Sequence, residues 1–457
     1  MRVLWLCNFM LPVVAEHLGK EATNKEGWLS GLAAQVLERA GENDITLAAA
    51  FPVGEDLLEN KEDIFEKTIS AYEGTLCCYG FYENTDRPEQ YDEALETRLK
   101  KITDRFQPDV VHCFGTEYPH TLAMCRSFPR KDRLLVGIQG LVSVYANAYF
   151  ASLPKETVHS VTLRDFLKKD SLVRQQQKFE ERGRMETEAV RLAGNVTGRT
   201  EWDRFYTEKW NPKAVYHMMN ETLRPAFYTD IWQEERCVPH SIFLSQGDYP
   251  IKGLHYVLEA LPAILEKYPD ATVSVAGNSL VRYETFKDKL KISAYGVYLR
   301  KMIADRHLEG KITFLGRLNG EAMKEQYLKS HLFLCCSSIE NSPNSLGEAM
   351  LLGMPCVSAD VGGIPTIFTD GRDGILYQGF QSEKNEFDSR YSPVKTEENT
   401  LENISRRLSD AVIAMWSDHD KRKEYCENAR EHAKKTHDGA ENYRRMTEIY
   451  AEICFCV

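Results

Sequence analysis

Residues 332–367 read LFLCCSSIENSPNSLGEAMLLGMPCVSADVGGIPTI. An apolar run, LFLCCSS, meets a polar break at residues 340–343. A helical pattern, NSLGEAMLLG, follows, and a Pro-bounded apolar run, PCVSA, closes the unit. Strand, helix and strand in that order predict a βαβ unit. The strands are apolar throughout rather than at alternate positions, which predicts burial on both faces and hence parallel pairing.

The same alternation runs through the chain. In the first half the strand candidates are RVLWLC, ITLAAAF, TLCCYGF, DVVHCF and LLVGIQG, and helical patterns such as WLSGLAAQVLERAG, ending at Gly41, lie between them. In the second half SIFLSQG, TVSVAG and ITFLG precede the opening stretch, with LHYVLEALPAILEKYP and EAMKEQYLKS as helices. The predicted fold class is therefore α/β, with two doubly wound Rossmann-like domains facing a central cleft. Ligand-binding residues are expected on loops that follow strands.

At 457 residues the chain is too long for one ordinary core. NETLRPAFYTDIWQEERCVPHS, residues 220–241, has two prolines and little periodicity and reads as a linker. The expected domains are 1–225 and 226–430, each a Rossmann-like unit. A terminal helix, 431–457, packs on either domain or crosses back to the first. QSEKNEFDSRYSPVKTEENT, residues 381–400, reads as a long surface loop.

A net charge of −11 argues against nucleic acid as a partner. The twelve cysteines are scattered through apolar runs with no Cys-x-x-Cys pair, as expected of buried thiols in a reducing compartment. MRVLWLCNFMLPVV resembles a signal peptide, but Asn8 and Pro12 interrupt it, and a buried first strand is the preferred reading. No apolar stretch reaches the ~18 residues of a membrane span. The expected location is the cytoplasm.

Glu340 and Glu348 stand eight residues apart around the break. Ser345-Leu346-Gly347-Glu348 fits the capping box S-x-x-E, which accounts for Glu348 alone. The helix start also offers N–H groups and a positive dipole end, a seat for a diphosphate. Gly347 admits close approach to the backbone, and Gly362-Gly363 forms a second glycine loop. A carboxylate on each side of such a seat accepts paired hydrogen bonds from sugar hydroxyls.

From Glu340 onward the residues resemble the E-x7-E signature of retaining glycosyltransferase family 4, which has the GT-B architecture. The matching positions are Glu340, Glu348-Ala349-Met350, Gly353, Pro355-Cys356-Val357, Gly362-Gly363 and Asp373-Gly374; the last glycine of the family pattern is missing. ITFLGRL with EAMKEQYLKSH, and PDVVHCFG, are similar to further family segments. GRTEWDR and NETLRPAFY resemble the members associated with bacterial surface polysaccharides. The resemblance implies that Glu348 binds ribose and Glu340 contacts the donor hexose. It implies a diphosphate held by Ser345 and Leu346 backbone beside Asn344 and Gly347, and a base met by Leu315 and Gly316. Lys252, in PIKGLH, matches the family's Lys-Gly and would neutralise the leaving diphosphate; its plain alternative is an exposed lysine at a helix start.

Two departures stand out. Gly247 occupies the place of the family's usual arginine, leaving Lys252 and Arg199 as candidate cations, although Arg199 reads equally as structural. Gln139-Gly140 replaces a frequent His-Gly. Gln139, His120 and Glu117 are the acceptor-side candidates, with His120 also readable as an idle helix-start residue. Gly27 stands where the family places a glycine pair near the donor or acceptor. The implied activity is a retaining, metal-independent hexosyl transfer from a nucleotide-diphospho-sugar to a saccharide or lipid-linked saccharide. No cofactor beyond the donor is implied, and no Asp-x-Asp stands at a strand end to hold a metal. A non-catalytic sugar-nucleotide-binding subunit and a GT-B epimerase are the alternatives. Residues 163–184, LRDFLKKDSLVRQQQKFEERGR, are rich in Lys and Arg. They read first as a solvated helix with internal ion pairs and second as a peripheral contact with the inner face of a membrane.

Overall fold

A computed structural model describes residues 1–20, 27–39, 41, 44–382, 387 and 399–455. The chain forms two compact units: unit 1 comprises Met1–Ser143, Phe179–Arg224 and Thr436–Val457, and unit 2 comprises Val144–Lys178 and Pro225–Lys435.

Among the described residues unit 1 has eight strands. They are β1 (Arg2–Cys7), β2 (Thr46–Val53), β3 (Ile64–Ala71), β4 (Gly74–Tyr82), β5 (Val110–Phe114), β6 (Leu134–Gly137), β7 (Asn195–Gly198) and β8 (Val215–Met218). Their order is β3-β4-β2-β1-β5-β6-β7-β8. RVLWLC is β1, at the middle of this sheet, pairing β2 on one side and β5 on the other. All pairs are parallel except β3 with β4. The sequence reading lacked β3, whose IFEKTISA carries exposed polar residues as an antiparallel edge strand can.

The helix Gly439–Phe455 packs into this unit. Tyr450 is fully buried; its hydroxyl accepts from the Trp5 indole N–H at 2.9 Å and lies 2.8 Å from His112 Nδ1. Burial pushes the His112 pKa down to about 3, so the ring is neutral. The hydroxyl and Nδ1 share one hydrogen bond whose direction follows the ring tautomer. The single terminal helix expected over 431–457 is in fact two, His419–Thr436 and Gly439–Phe455. Asp438 breaks it by capping the second, its carboxylate accepting the Glu441 N–H.

In unit 2 the described strands are β9 (Val238–Leu244), β10 (Thr272–Val275), β11 (Ile312–Phe314), β12 (Ser330–Cys335), β13 (Cys356–Asp360) and β14 (Ile375–Gln378). They form one parallel sheet in the order β11-β10-β9-β12-β13-β14. The chain winds outward from β9 to β11 and restarts at β12 on the other side of β9. The carboxyl ends of β9 and β12 therefore flank the switch point, where ligands bind in open α/β sheets. The segment Val144–Lys178 is anchored within this unit. His255, fully buried, meets the Ala151 carbonyl through Nε2 and the Tyr295 hydroxyl through Nδ1.

The basic stretch 163–184 does not form one helix. Leu163–Lys168 ends at Lys169, whose φ is +51°, and a second helix runs Leu172–Leu192. The helix expected to end at Gly41 ends at Glu38. Of the loop expected at 381–400, residues 383–386 and 388–398 lie outside the described residues.

Candidate active site

The site in unit 2 is built from the two loops at the switch point. After β9 the chain makes a short turn, Pro250–Lys252, and enters the helix Leu254–Lys267 through Gly253. Gly253 has φ +73°, and a Cβ there would collide with the Cys336 carbonyl. The Lys252 turn is thereby pressed against the segment following β12. Ser338 N–H donates to the Ile251 carbonyl at 2.7 Å, fastening the two loops.

Lys252 Nζ lies 2.5 Å from Glu340 Oε1, and Ser337 Oγ donates to the same oxygen at 2.8 Å. Burial works against the Lys252 charge, but the adjoining Glu340 carboxylate outweighs it and raises the ammonium pKa above the ordinary lysine value. Lys252 is a permanent cation at the carboxyl end of the sheet, with 19 % of its side chain exposed. The Glu340 carbonyl accepts the Gly363 N–H at 3.0 Å. Gly362, φ +56°, is the close approach that permits this, since a Cβ there would strike that carbonyl.

The helix beyond is Asn344–Leu352, and its N-cap is Pro343, with no capping side chain. The capping box expected of Ser345 and Glu348 is thus absent. Ser345 lies inside the first turn and Glu348 sits in the helix body, buried, where it cannot reach back. The helix start leaves the first-turn amides of Asn344 and Ser345 ahead of the helical ladder. Leu346 and Gly347 N–H both point to the Pro343 carbonyl. At the other sheet edge Leu315 N–H donates to the Val275 carbonyl. Gly316, φ +75°, bridges to Gly277 with nothing within 4 Å of where a Cβ would stand.

Three neighbours stand outside the sequence-derived candidates. The Tyr145 hydroxyl accepts the Asn341 N–H at 3.0 Å; burial, and then the Glu340 charge, push its phenol well above the usual value. It lies 195 residues before Glu340, on the Val144–Lys178 segment, so no local motif joins them. Tyr249 places its ring centroid 5.9 Å from Lys252 Nζ. Ser337 follows the strand directly, and the pair Ser337-Ser338 after an apolar run is the clue that was there to use. Asp248 and Tyr249 also line a cavity of about 190 Å³ with Arg164, Asp170, Gln175 and Ser293. Burial pushes the Cys335 thiol up to about 11 and the Cys336 thiol higher, which leaves neither as a nucleophile.

The remaining candidates belong to unit 1. Arg199, at the end of β7, is buried and forms an ion pair with Glu221 at 2.5 Å. Its second amino group meets the Gln139 carbonyl and side-chain oxygen at 3.3 Å, and Gln139 Nε2 donates to Glu221 at 2.6 Å. These bonds tie the end of β7 to Gln139 and Glu221. His120 has no exposed surface: Nδ1 is 2.6 Å from Glu83 and Nε2 is 3.1 Å from Asn8 Oδ1. That enclosure suits the reading of His120 as an idle helix-start residue. Glu117, half-buried beside Asn8, has its carboxyl pKa raised by burial. It follows β5, at unit 1's own switch point between β1 and β5. Gly27 opens the helix Gly27–Glu38.

Among the described residues no group of three or more His, Cys, Asp or Glu side chains has the geometry of a metal site. None of the eleven described cysteines is bonded to another, and no described helix is long and apolar enough to cross a membrane.

The fold is that of the GT-B class. Sucrose-phosphate synthase from Thermosynechococcus elongatus superposes with a TM-score of 0.64 at 12 % identity, over all of both chains. HepE of Anabaena, solved with UDP-glucose, gives 0.60 at 14 % identity over 99 % of this chain and 100 % of its own. Residues 238–387, which hold the Lys252 turn and the Glu340 loop, match the family described as Glycosyl transferases group 1. An uncharacterized glycosyltransferase of Methanocaldococcus jannaschii is 32 % identical over 124 residues, 27 % of this chain and 28 % of that protein. The chain spans about a third or less of the length of the first curated relatives it matches.

Proposed function

We propose that this protein is a retaining, metal-independent glycosyltransferase of the family 4 type. It moves a hexose from a nucleotide-diphospho-sugar to a saccharide or lipid-linked saccharide in the cytoplasm. The observation that carries the reading is the Lys252–Glu340 pair at the switch point, inside the segment that matches the glycosyltransferase family.

In this reading the diphosphate lies at the start of the helix Asn344–Leu352, where helix dipole and first-turn amides favour an anion. Lys252 neutralises charge developing on the leaving phosphate as the bond from the sugar C1 to the phosphate oxygen breaks. The acceptor hydroxyl forms the new bond to C1 on the same face, and its proton passes to the departing phosphate oxygen. Glu340, fixed by Lys252 and Ser337, orients the hexose; Glu348 takes the ribose hydroxyls, and backbone at Leu315 and Gly316 meets the base. With Arg199 tied to Glu221 and Gln139, charge neutralisation rests on Lys252 and the helix start.

The test is donor cleavage. The protein is incubated with UDP-, GDP- and ADP-sugars in EDTA, and the free nucleoside diphosphate is measured against Glu340→Ala. One donor is expected to be cleaved slowly by the wild type and left intact by the variant. If calorimetry finds no nucleotide-sugar bound, the proposal fails; if one binds and turnover is absent with every acceptor tried, the protein is the binding subunit instead.

A further inference from the structure

Two short helices of unit 2, Leu163–Lys168 and Phe286–Lys291, turn large apolar side chains to solvent. Phe166 is 72 % exposed, Leu167 69 % and Phe286 75 %, and Leu163 and Leu290 are exposed beside them. Such a cluster is costly in water unless something covers it. The helices are held in place. Each begins with a complete capping box, Thr162 with Asp165 and Thr285 with Asp288. They are also tied together: Thr162 Oγ1 donates to the Ile292 carbonyl at 2.8 Å, and the Ala294 N–H donates to Asp165 at 2.9 Å.

Charge identifies the partner. Residues 161–169 and 282–291 hold seven Lys and Arg against three Asp and Glu, in a chain whose net charge is −11. Two of those acids, Asp165 and Asp288, are occupied in the caps. Lys168, Lys169, Lys287 and Lys291 are exposed, and among the described residues none closes an ion pair within 4 Å. Aromatic and leucine side chains ringed by unpaired lysines suit the interface of an anionic bilayer. They suit a second copy of this chain poorly, because a two-fold contact sets lysines against lysines.

We propose that this face docks onto an anionic phospholipid surface, with Phe166, Leu167 and Phe286 entering the headgroup region and the lysines meeting lipid phosphates. The proposal stands independently of the transferase reading.

Flotation of the full chain with vesicles tests it. The protein is expected to float with phosphatidylcholine containing about one-third phosphatidylglycerol, to stay behind with phosphatidylcholine alone, and to be released by salt. Lys287→Glu with Lys291→Glu should weaken binding by about fivefold per lysine charge removed. Phe166→Ser with Phe286→Ser should weaken it at least about tenfold while the thermal midpoint holds, since both side chains are exposed. Absence of flotation on anionic vesicles, or equal flotation by the serine double variant, overturns the proposal. So does a dimer that the serine variant dissociates in the absence of vesicle binding, which would make the face a self-association surface.

Discussion

Each unit carries a cation–glutamate pair at 2.5 Å near the end of a strand, Arg199–Glu221 in unit 1 and Lys252–Glu340 in unit 2. By distance they are indistinguishable; their surroundings separate them. Arg199 and Glu221 are 5 % and 4 % exposed, and Gln139 bonds both partners, so little of the pair is open to a ligand. Lys252 is 19 % exposed, and of its three donors the described structure pairs one with a carboxylate, leaving capacity for an anionic ligand. A short ion pair is therefore weak evidence of catalysis until its exposure and remaining hydrogen-bonding capacity are known.

That contrast is open to experiment. The largest effect is expected from Arg199→Met, which strands Glu221 in the interior and should cost ~3–5 kcal/mol in urea unfolding. Arg199→Met with Glu221→Leu should recover much of this, as a purely structural pair requires. Lys252→Ala should lower donor cleavage about 10²–10³-fold with a smaller loss of stability than Arg199→Met, since Ser337 still donates to Glu340. If instead Lys252→Ala unfolds the protein and Arg199→Met abolishes turnover in a folded one, the assignment is reversed.

Glu186 sharpens the comparison within unit 1. Its carboxyl is fully buried and accepts from Thr116, from Val142 N–H, and from both the N–H and hydroxyl of Ser143. Burial pushes its pKa from 4.5 up to about 7, and those hydrogen bonds limit the rise. A carboxyl raised in the folded state stabilises most below its unfolded pKa. That contribution falls as pH climbs from 4.5 to about 7 and levels off above. Wild type should lose up to about 3 kcal/mol more than Glu186→Gln across that window in pH-dependent unfolding. The smallest effect is expected from Tyr450→Phe, about 1–3 kcal/mol, for leaving the Trp5 N–H without its acceptor.

Sequence reading succeeded where one segment carries the whole signal. The central parallel strands are unbroken apolar runs, and the chain order of β9 to β13 follows their spacing; β14, ILYQ, is half-exposed and gave no such signal. The Lys252 and Glu340 loops each follow a strand, so the sequence alone puts both motifs at the carboxyl end of the sheet. It fell short where meaning comes from tertiary partners. Ser345-x-x-Glu348 has the letters of a capping box, yet Pro343 sets the helix start two residues earlier than that reading requires. Arg199 read equally as a site cation and as structural, because Glu221 lies 22 residues on and Gln139 60 residues back. His120 read both as an acceptor-side candidate and as an idle helix-start residue, because nothing nearby announces Glu83. Tyr145 was invisible, since the segment that bears it joins unit 2 from the middle of unit 1's sequence.

The Trp5–Tyr450–His112 chain has a consequence for biosynthesis. The hydroxyl that satisfies the tryptophan of the strand centring the first sheet is added 445 residues after that tryptophan. Unit 2 lies complete between the two and can fold on the ribosome as it emerges. Unit 1 must instead wait, its central strand laid down first and its core closed after unit 2 is finished. During that interval the exposed groove awaiting the helix Gly439–Phe455 is where a chaperone would engage the nascent chain.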